Sequence, residues 1–221
     1  MNLPDNLLSE AWCWAAWAVW LPLFAFSLFR LDYRRFLDPV QSNLWFGMVV
    51  VLLLFWHLRA GVQPGLGMHF LGVLIFVQCF GTAAAFVGLN VVLLAMVLNA
   101  GEGGAVFALN ALLLIAVPVA FVLCWQRTIR SCLPPNFFVY IFIQSFFGAF
   151  LSILVVGTIL CLVLGLASVY PFDYLAEAYL PYFLLLGFAE AWISGMVLTL
   201  MVVYRPEWVA SFDDGRYLTD K

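Results

Sequence analysis

The chain has 221 residues, 66% of them hydrophobic and 10% charged, against roughly a quarter charged in soluble domains; an ordinary water-soluble globule is excluded. Lys221 is the only lysine and no GxxxxGK[ST] pattern occurs, so the chain carries neither a P-loop nor a basic nucleic-acid groove. The formal net charge of −3 matters less here than the side of the membrane on which each charge lies.

Apolar runs long enough to cross about 30 Å of hydrocarbon lie at 7–29, 43–58, 69–98, 105–125, 136–168 and 181–204. The first ten residues include Asp5 and Glu10 but no Lys or Arg, so the basic leader of a cleavable signal peptide is missing and the first run is expected to be retained. Arg30, Arg34 and Arg35 follow it, which places that end in the cytoplasm and the N-terminus outside. The third run spans 30 residues with Gly81 and Thr82 inside it, and charge decides how it is divided. If it turns near Phe80–Ala83, Arg127, Arg130, Arg205, Arg216 and Lys221 all fall inside, and Arg59 alone of nine basic residues lies outside. A single crossing would send Arg127 and Arg130 outside with it. The expectation is therefore an all-α, polytopic membrane bundle of about seven helices, a single domain over 1–221, with the C-terminus cytoplasmic. Its spans are 7–29, 43–59, 69–81, 83–99, 105–125, 136–168 and 181–204. The tail from Arg205, with Trp208 and Phe212, suits the interface or a partner.

In this topology Asp5, Glu10, Glu102, Asp173 and Glu177 face outward with only Arg59 against them. An acidic outer mouth raises the local cation concentration modestly. Solvated loop carboxylates would look the same.

His57 and His69 are the only histidines. His57, in Trp56-His57-Leu58-Arg59, reads as an interfacial imidazole. His69 follows Pro64-Gly65-Leu66-Gly67, a loop whose glycines permit close backbone approach, and it opens the next helix. A neutral imidazole there suits a transition-metal ligand, although a lone membrane histidine also serves as a helix bridge. Glu190 is the one carboxylate inside a predicted span; an ionisable group at that depth is a functional candidate, or else a tie between helices. Asn90, Asn110, Gln78 and Gln144 read as bonds across helices, and Asn99–Gly104 as a Gly-rich external turn. Cys13, Cys79, Cys124, Cys132 and Cys161 form no CxxC pair or zinc spacing and read as small buried apolar residues. Ile193-Ser194-Gly195 has no histidine partner for hydrolase chemistry, and two histidines flanking one short loop do not make a bis-histidine haem site. The chain is thus read as no enzyme. Ala11 and Ala15, with Ala18 one turn on, give the first helix a small-residue stripe suited to close helix approach.

Several stretches, taken together and in order, resemble the cobalt/nickel substrate-binding membrane components of energy-coupling-factor (ECF) transporters, the CbiM/NikM group. These are Leu3-Pro4-Asp5-Asn6-Leu7-Leu8-Ser9, the Pro64–Gly72 loop ending in His69-Phe70-Leu71-Gly72, Glu102-Gly103-Gly104 with Leu109-Asn110, and Gly187-Phe188-Ala189-Glu190-Ala191. The resemblance implies a seven-helix fold with an external N-terminus. It also implies a metal held by the terminal amine, a residue-two histidine and the loop histidine, here Met1, position two and His69. Position two is Asn2, a much poorer ligand for nickel or cobalt than histidine. Asp5, Met68 or a cysteine would then rebuild the site, or the branch takes another cargo.

The leading expectation is a substrate-capturing subunit of an importer for a divalent transition metal, Co2+ or Ni2+, with no tightly bound cofactor. Met1, Asn2 and His69 form the ligand set, supported by Asp5, Glu102, Asn110 and Glu190. The resemblance implies a membrane coupling subunit and cytosolic ATPases as partners, docking through Ala11 and Ala15 in the bacterial cytoplasmic (inner) membrane. The alternatives are the same fold for a larger organic ligand such as a corrinoid, and a non-transporting membrane scaffold.

Overall fold

The structure is a computed structural model describing residues 2–5, 7–61, 66–100 and 104–217. Eight helices of seven or more residues make up the described chain: α1 (Glu10–Phe29), α2 (Pro39–His57), α3 (Val73–Phe80), α4 (Thr82–Ala100), α5 (Phe107–Cys132), α6 (Val139–Leu166), α7 (Phe172–Ala178) and α8 (Leu180–Tyr204). Among the described residues, α1, α2, α4, α5, α6 and α8 are long and apolar enough to cross a membrane. Two short strands, β1 (Ala60–Gly61) and β2 (Gly67–Met68), pair antiparallel beyond α2.

The first two spans are shifted relative to the sequence expectation. Helix α1 begins at Glu10, not at residue 7, because Leu3 and Leu8 are used to bury the N-terminal segment against the bundle. Helix α2 starts earlier, at Pro39, because the Asp38 side chain accepts from the Val40 amide at 2.9 Å and proline sits in the first turn, both start signals for a helix. Helix α5 extends to Cys132, carrying Arg127 and Arg130 as its last turns.

The third run is interrupted, and by a different division from the expected 69–81 and 83–99. Helix α3 has only eight residues, about 12 Å of rise, so the expectation of a helix from residue 69 is corrected: His69 to Gly72 are non-helical. Glycine sets both limits, since Gly72 and Gly81 adopt φ of 67° and 80°, a region open to glycine at no steric cost. The break at Gly81 falls within the expected turn. Despite its length, the segment joins opposite ends of the bundle. Leu71 O accepts from Trp56 Nε1 at 3.2 Å, beside the C-terminus of α2, while Cys79 O accepts from Arg35 Nη2 at 2.9 Å, before the start of α2. Helix α4 returns in the other direction: Ala84 O accepts from Trp45 Nε1 at 3.1 Å, and Asn99 Nδ2 lies 3.0 Å from His57 Nε2.

All eight residues of α3 are buried, whereas α1 buries only Ala16 and Trp20 along its length. The short helix is the axis of the bundle and α1 lies on its flank. Helices α6 and α8 pack closely because Gly157 leaves room for the ring of Phe183, which a Cβ would overlap. Gly157→Leu is therefore expected to lower stability by about 2 kcal/mol or more through overpacking, read as a fall in thermal midpoint in detergent.

Two helices change pitch. In α5 the π turn Leu112–Ala116 precedes Pro118, which has no N–H for the carbonyl four residues back. In α6 the π turn Val139–Phe147 accompanies bonds from Ser145 Oγ to Tyr140 O at 2.9 Å and from Trp125 Nε1 to Ile143 O at 3.1 Å.

The tail does not lie free along the interface. It folds back beneath α3, where the Ala210 and Ser211 amides donate to Cys79 O at 3.2 Å and Gln78 O at 3.1 Å. These carbonyls end α3 without intrahelical partners, and the tail supplies their donors. Phe212 and Tyr217 stack against each other and meet the Tyr140 ring edge-on.

Candidate metal centre

The bundle has an N-terminal end, holding residues 2–5 and His69, and an arginine end, holding Arg35 and the folded-back tail. The candidate site lies at the N-terminal end and rests on two clamps.

The first clamp fixes the N-terminal segment. Asn110, in the first turns of α5, accepts from the Leu3 amide at 2.8 Å and donates from Nδ2 to Leu3 O at 3.0 Å. Both residues are buried, so one side-chain amide satisfies both polar groups of a backbone unit that water does not reach. Asp5 Oδ1 accepts from the Val106 amide at 3.4 Å, at the N-terminal end of α5, where a carboxylate is favoured. Residue 2 is thereby held in place, and Asn2 Oδ1 is buried with no partner among the described residues.

The second clamp fixes the histidine loop. Glu190 reaches from α8 and accepts from the Leu71 amide at 2.9 Å and the Gly72 amide at 2.7 Å, one on each oxygen. Trp56 Nε1 holds Leu71 O, and the Tyr179 hydroxyl donates to Gly67 O at 3.2 Å. The left-handed φ of Gly72 turns its amide toward the carboxylate, and a Cβ there would also strike Leu52. Three elements distant in sequence thus pin residues 67–72.

On the loop that the second clamp pins stands His69. It is buried, its ring 4.8 Å from that of Trp56. Its Nδ1 lies 3.2 Å from Phe70 O, so the proton belongs on Nδ1 and the Nε2 lone pair is left available. Nε2 is buried and has no partner among the described residues. The neutral imidazole is the metal-ligating form. Leaving a buried acceptor unpaired costs about 1–3 kcal/mol, a cost that a bound cation would relieve.

The other sequence candidates divide. Met1 and Glu102 lie outside the described residues. Met68 is half-buried in β2. Cys79 is at the arginine end, its Sγ 3.6 Å from Met201 Sδ, and Cys13 lines a separate groove with Glu10 and Trp17. His57 bridges α2 to α4 through Asn99. Among the described residues no three His, Cys, Asp or Glu side chains converge, and an ion held here draws on amide and other nitrogen or oxygen donors beside one imidazole. Sequence reasoning missed the parts of Trp56 and Tyr179, whose residue types carry no local signal for loop clamping.

Asn110→Ala is expected to weaken any binding by residue 2 roughly 10- to 100-fold, the usual cost of losing an outer support. Asn110→Asp retains only the acceptor half of the clamp and should lie between, measured as metal affinity.

A helical membrane bundle with a buried, unpaired imidazole held at one end by crossing clamps has the build of a membrane transport component. Residues 2–208 match the profile of the cobalt uptake substrate-specific transmembrane region, CbiM, and the chain belongs to that family. Two solved structures share the fold. A truncated transition metal transporter is 19% identical with a TM-score of 0.78, over 92% of this chain and 99% of that one. Another transition metal transporter is 20% identical with a TM-score of 0.77, over 91% and 92% of the two chains. No protein among curated sequences matches the chain. The family is one of transporter components, and the chain is a multi-pass membrane component of metal uptake.

Proposed function

We infer that the chain is the substrate-capturing subunit of an ECF-type importer for a divalent transition metal of the cobalt/nickel class. It takes the ion at the N-terminal end, which faces outward, and releases it inward when partner subunits move it. The observation that carries this reading is the buried Nε2 of His69, unpaired among the described residues on a loop that Glu190 fixes from another helix. The ligand set is the Met1 amine, Asn2 and His69, with Asp5, Glu102, Asn110 and Glu190 in support. Family membership favours cobalt, and the imidazole suits either ion. The clustering of Arg30, Arg34, Arg35, Arg127, Arg130 and Arg205 near helix ends supports a cytoplasmic arginine end under the positive-inside rule. With that orientation His69–Phe80 makes a seventh, partly non-helical crossing in the bacterial inner membrane, tolerated because it is enclosed by protein.

The chain has no nucleotide-binding motif, so the energy comes from a coupling subunit and cytosolic ATPases. Ala11, Ala15 and Ala18 are all exposed on α1, a surface of small residues suited to a close helix partner. Ala11→Leu with Ala15→Leu is expected to abolish co-purification with the coupling subunit while leaving metal affinity unchanged. Retained co-purification would overturn the docking assignment.

The reading is tested by equilibrium titration of nickel and of cobalt into purified protein bearing an untagged, native N-terminus. Near-stoichiometric, saturable binding is expected; no saturation by either ion overturns it. Asn2→His adds an imidazole at the clamped position, and a gain in affinity of tenfold or more is expected, as an imidazole is much the better ligand for these metals.

A further inference from the structure

At the arginine end a second site opens that plays no part in metal capture. The upper half of α1 is closed against the bundle by Trp20, whose Nε1 donates to Asn90 Oδ1 at 2.9 Å and whose ring meets Phe107 at 5.4 Å. Beyond Trp20 the helices part, and a groove of about 830 Å³ runs between α1 and α5 to the turn that joins α3 and α4. Its walls are apolar, formed by Leu23, Phe26, Phe86, Val117, Ala120 and Leu123.

The floor is cationic. Arg30, Arg35 and Arg127 line it with one acid, Asp32, and Asp32 Oδ1 accepts from the backbone amide of Arg34 at 3.2 Å. Arg30 stands over the Phe26 ring at 5.3 Å and Arg35 over Phe80 at 5.4 Å. The hydrogen bonds of Arg35 go to neutral acceptors, Gln41 Oε1 at 3.1 Å and Cys79 O at 2.9 Å. Among the described residues the one ion pair is Arg205 with Glu207, so no described carboxylate lies within 4.0 Å of any of the three. Thr82, Ala83 and Ala84 also line the groove. They are the first turn of the 19-residue α4, whose unpaired amides and positive dipole end favour an anion.

We propose that this groove is a binding site for an anionic phospholipid. The phosphate lies among Arg30, Arg35, Arg127 and the start of α4, and an acyl chain lies along Phe26, Val117 and Leu123. Basic pockets between transmembrane helices at the cytoplasmic face select such headgroups, and the apolar wall above belongs at acyl-chain depth. A lipid meets both chemistries at once, which neither an acidic protein segment nor a free anion does. Arg35 touches the carbonyl that ends α3, so occupancy of the groove bears on the helix whose other end begins at the histidine loop.

The test is native mass spectrometry of full-length protein extracted from bilayers of equal phosphatidylglycerol and phosphatidylcholine. The parent is expected to retain phosphatidylglycerol roughly tenfold or more over phosphatidylcholine, since each basic residue near a headgroup contributes about fivefold. Arg30→Gln with Arg127→Gln, both exposed and outside the metal site, should abolish that preference while melting like the parent in phosphatidylcholine alone. Ala120→Trp, which fills the groove without removing charge, should reduce retention of the lipid. Equal retention of the two lipids by the parent overturns the proposal. So does a preference that survives the double substitution, or displacement of the lipid by millimolar inorganic phosphate. An acidic partner protein as the occupant would show as arginine-dependent recovery of that partner with no lipid preference, and would likewise overturn it.

Discussion

His69→Ala is expected to abolish saturable binding of nickel and cobalt at concentrations that saturate the parent. The ring supplies the one buried imidazole at the N-terminal end, His57 being exposed and bonded to Asn99, and its Nε2 is buried without a partner among the described residues. Removing it breaks no bond to a distant element, because the bond it makes is to the carbonyl of its own neighbour, Phe70, but it leaves a cavity beside Trp56, which lowers stability. Titration calorimetry beside a thermal melt separates the two effects. A variant that remains folded and no longer binds supports the ligand role; one that binds as tightly as the parent removes His69 from the site.

Glu190→Ala is the second large effect. It strips both acceptors from the Leu71 and Gly72 amides and leaves two buried donors unpaired, each costing about 1–3 kcal/mol. The loop that presents His69 is then held by Trp56, Tyr179 and the β1–β2 pairing. A lower melting point and a roughly 10- to 100-fold weaker metal affinity are expected together, the latter being typical of lost outer supports. Glu190→Gln keeps the shape but turns an N–H donor toward an amide, and should retain one of the two bonds and lie between. Unchanged affinity in Glu190→Ala, with a lowered melting point, would leave Glu190 a structural tie alone.

The two clamps show where sequence reasoning reaches and where it stops. Asn110 and Glu190 were visible as polar side chains inside apolar runs, since a membrane span tolerates few of them and each must find a partner. Their partners were not visible: Asn110 meets a backbone unit 107 residues away and Glu190 two amides 118 and 119 residues away. The same holds at the arginine end, where the tail reads as an interfacial segment by composition yet donates to the end of α3. The carbonyls left open there by a short helix have no representation in the sequence.

The sequence by itself determined that the chain is a membrane bundle, because its apolar runs leave no alternative solvent for their surface. It also led to a break in the third run, because the arginine bias favours a turn there and Gly81 admits one. Only the tertiary structure decided that the broken half is the eight-residue α3 at the centre of the fold, and that His69 lies buried outside any helix. It alone decided that α1 stands apart from α5 over a cationic groove. Hydropathy records how much surface a residue must hide, whereas the choice of which helix surrounds which is made by packing and by hydrogen bonds that close over a hundred residues of chain.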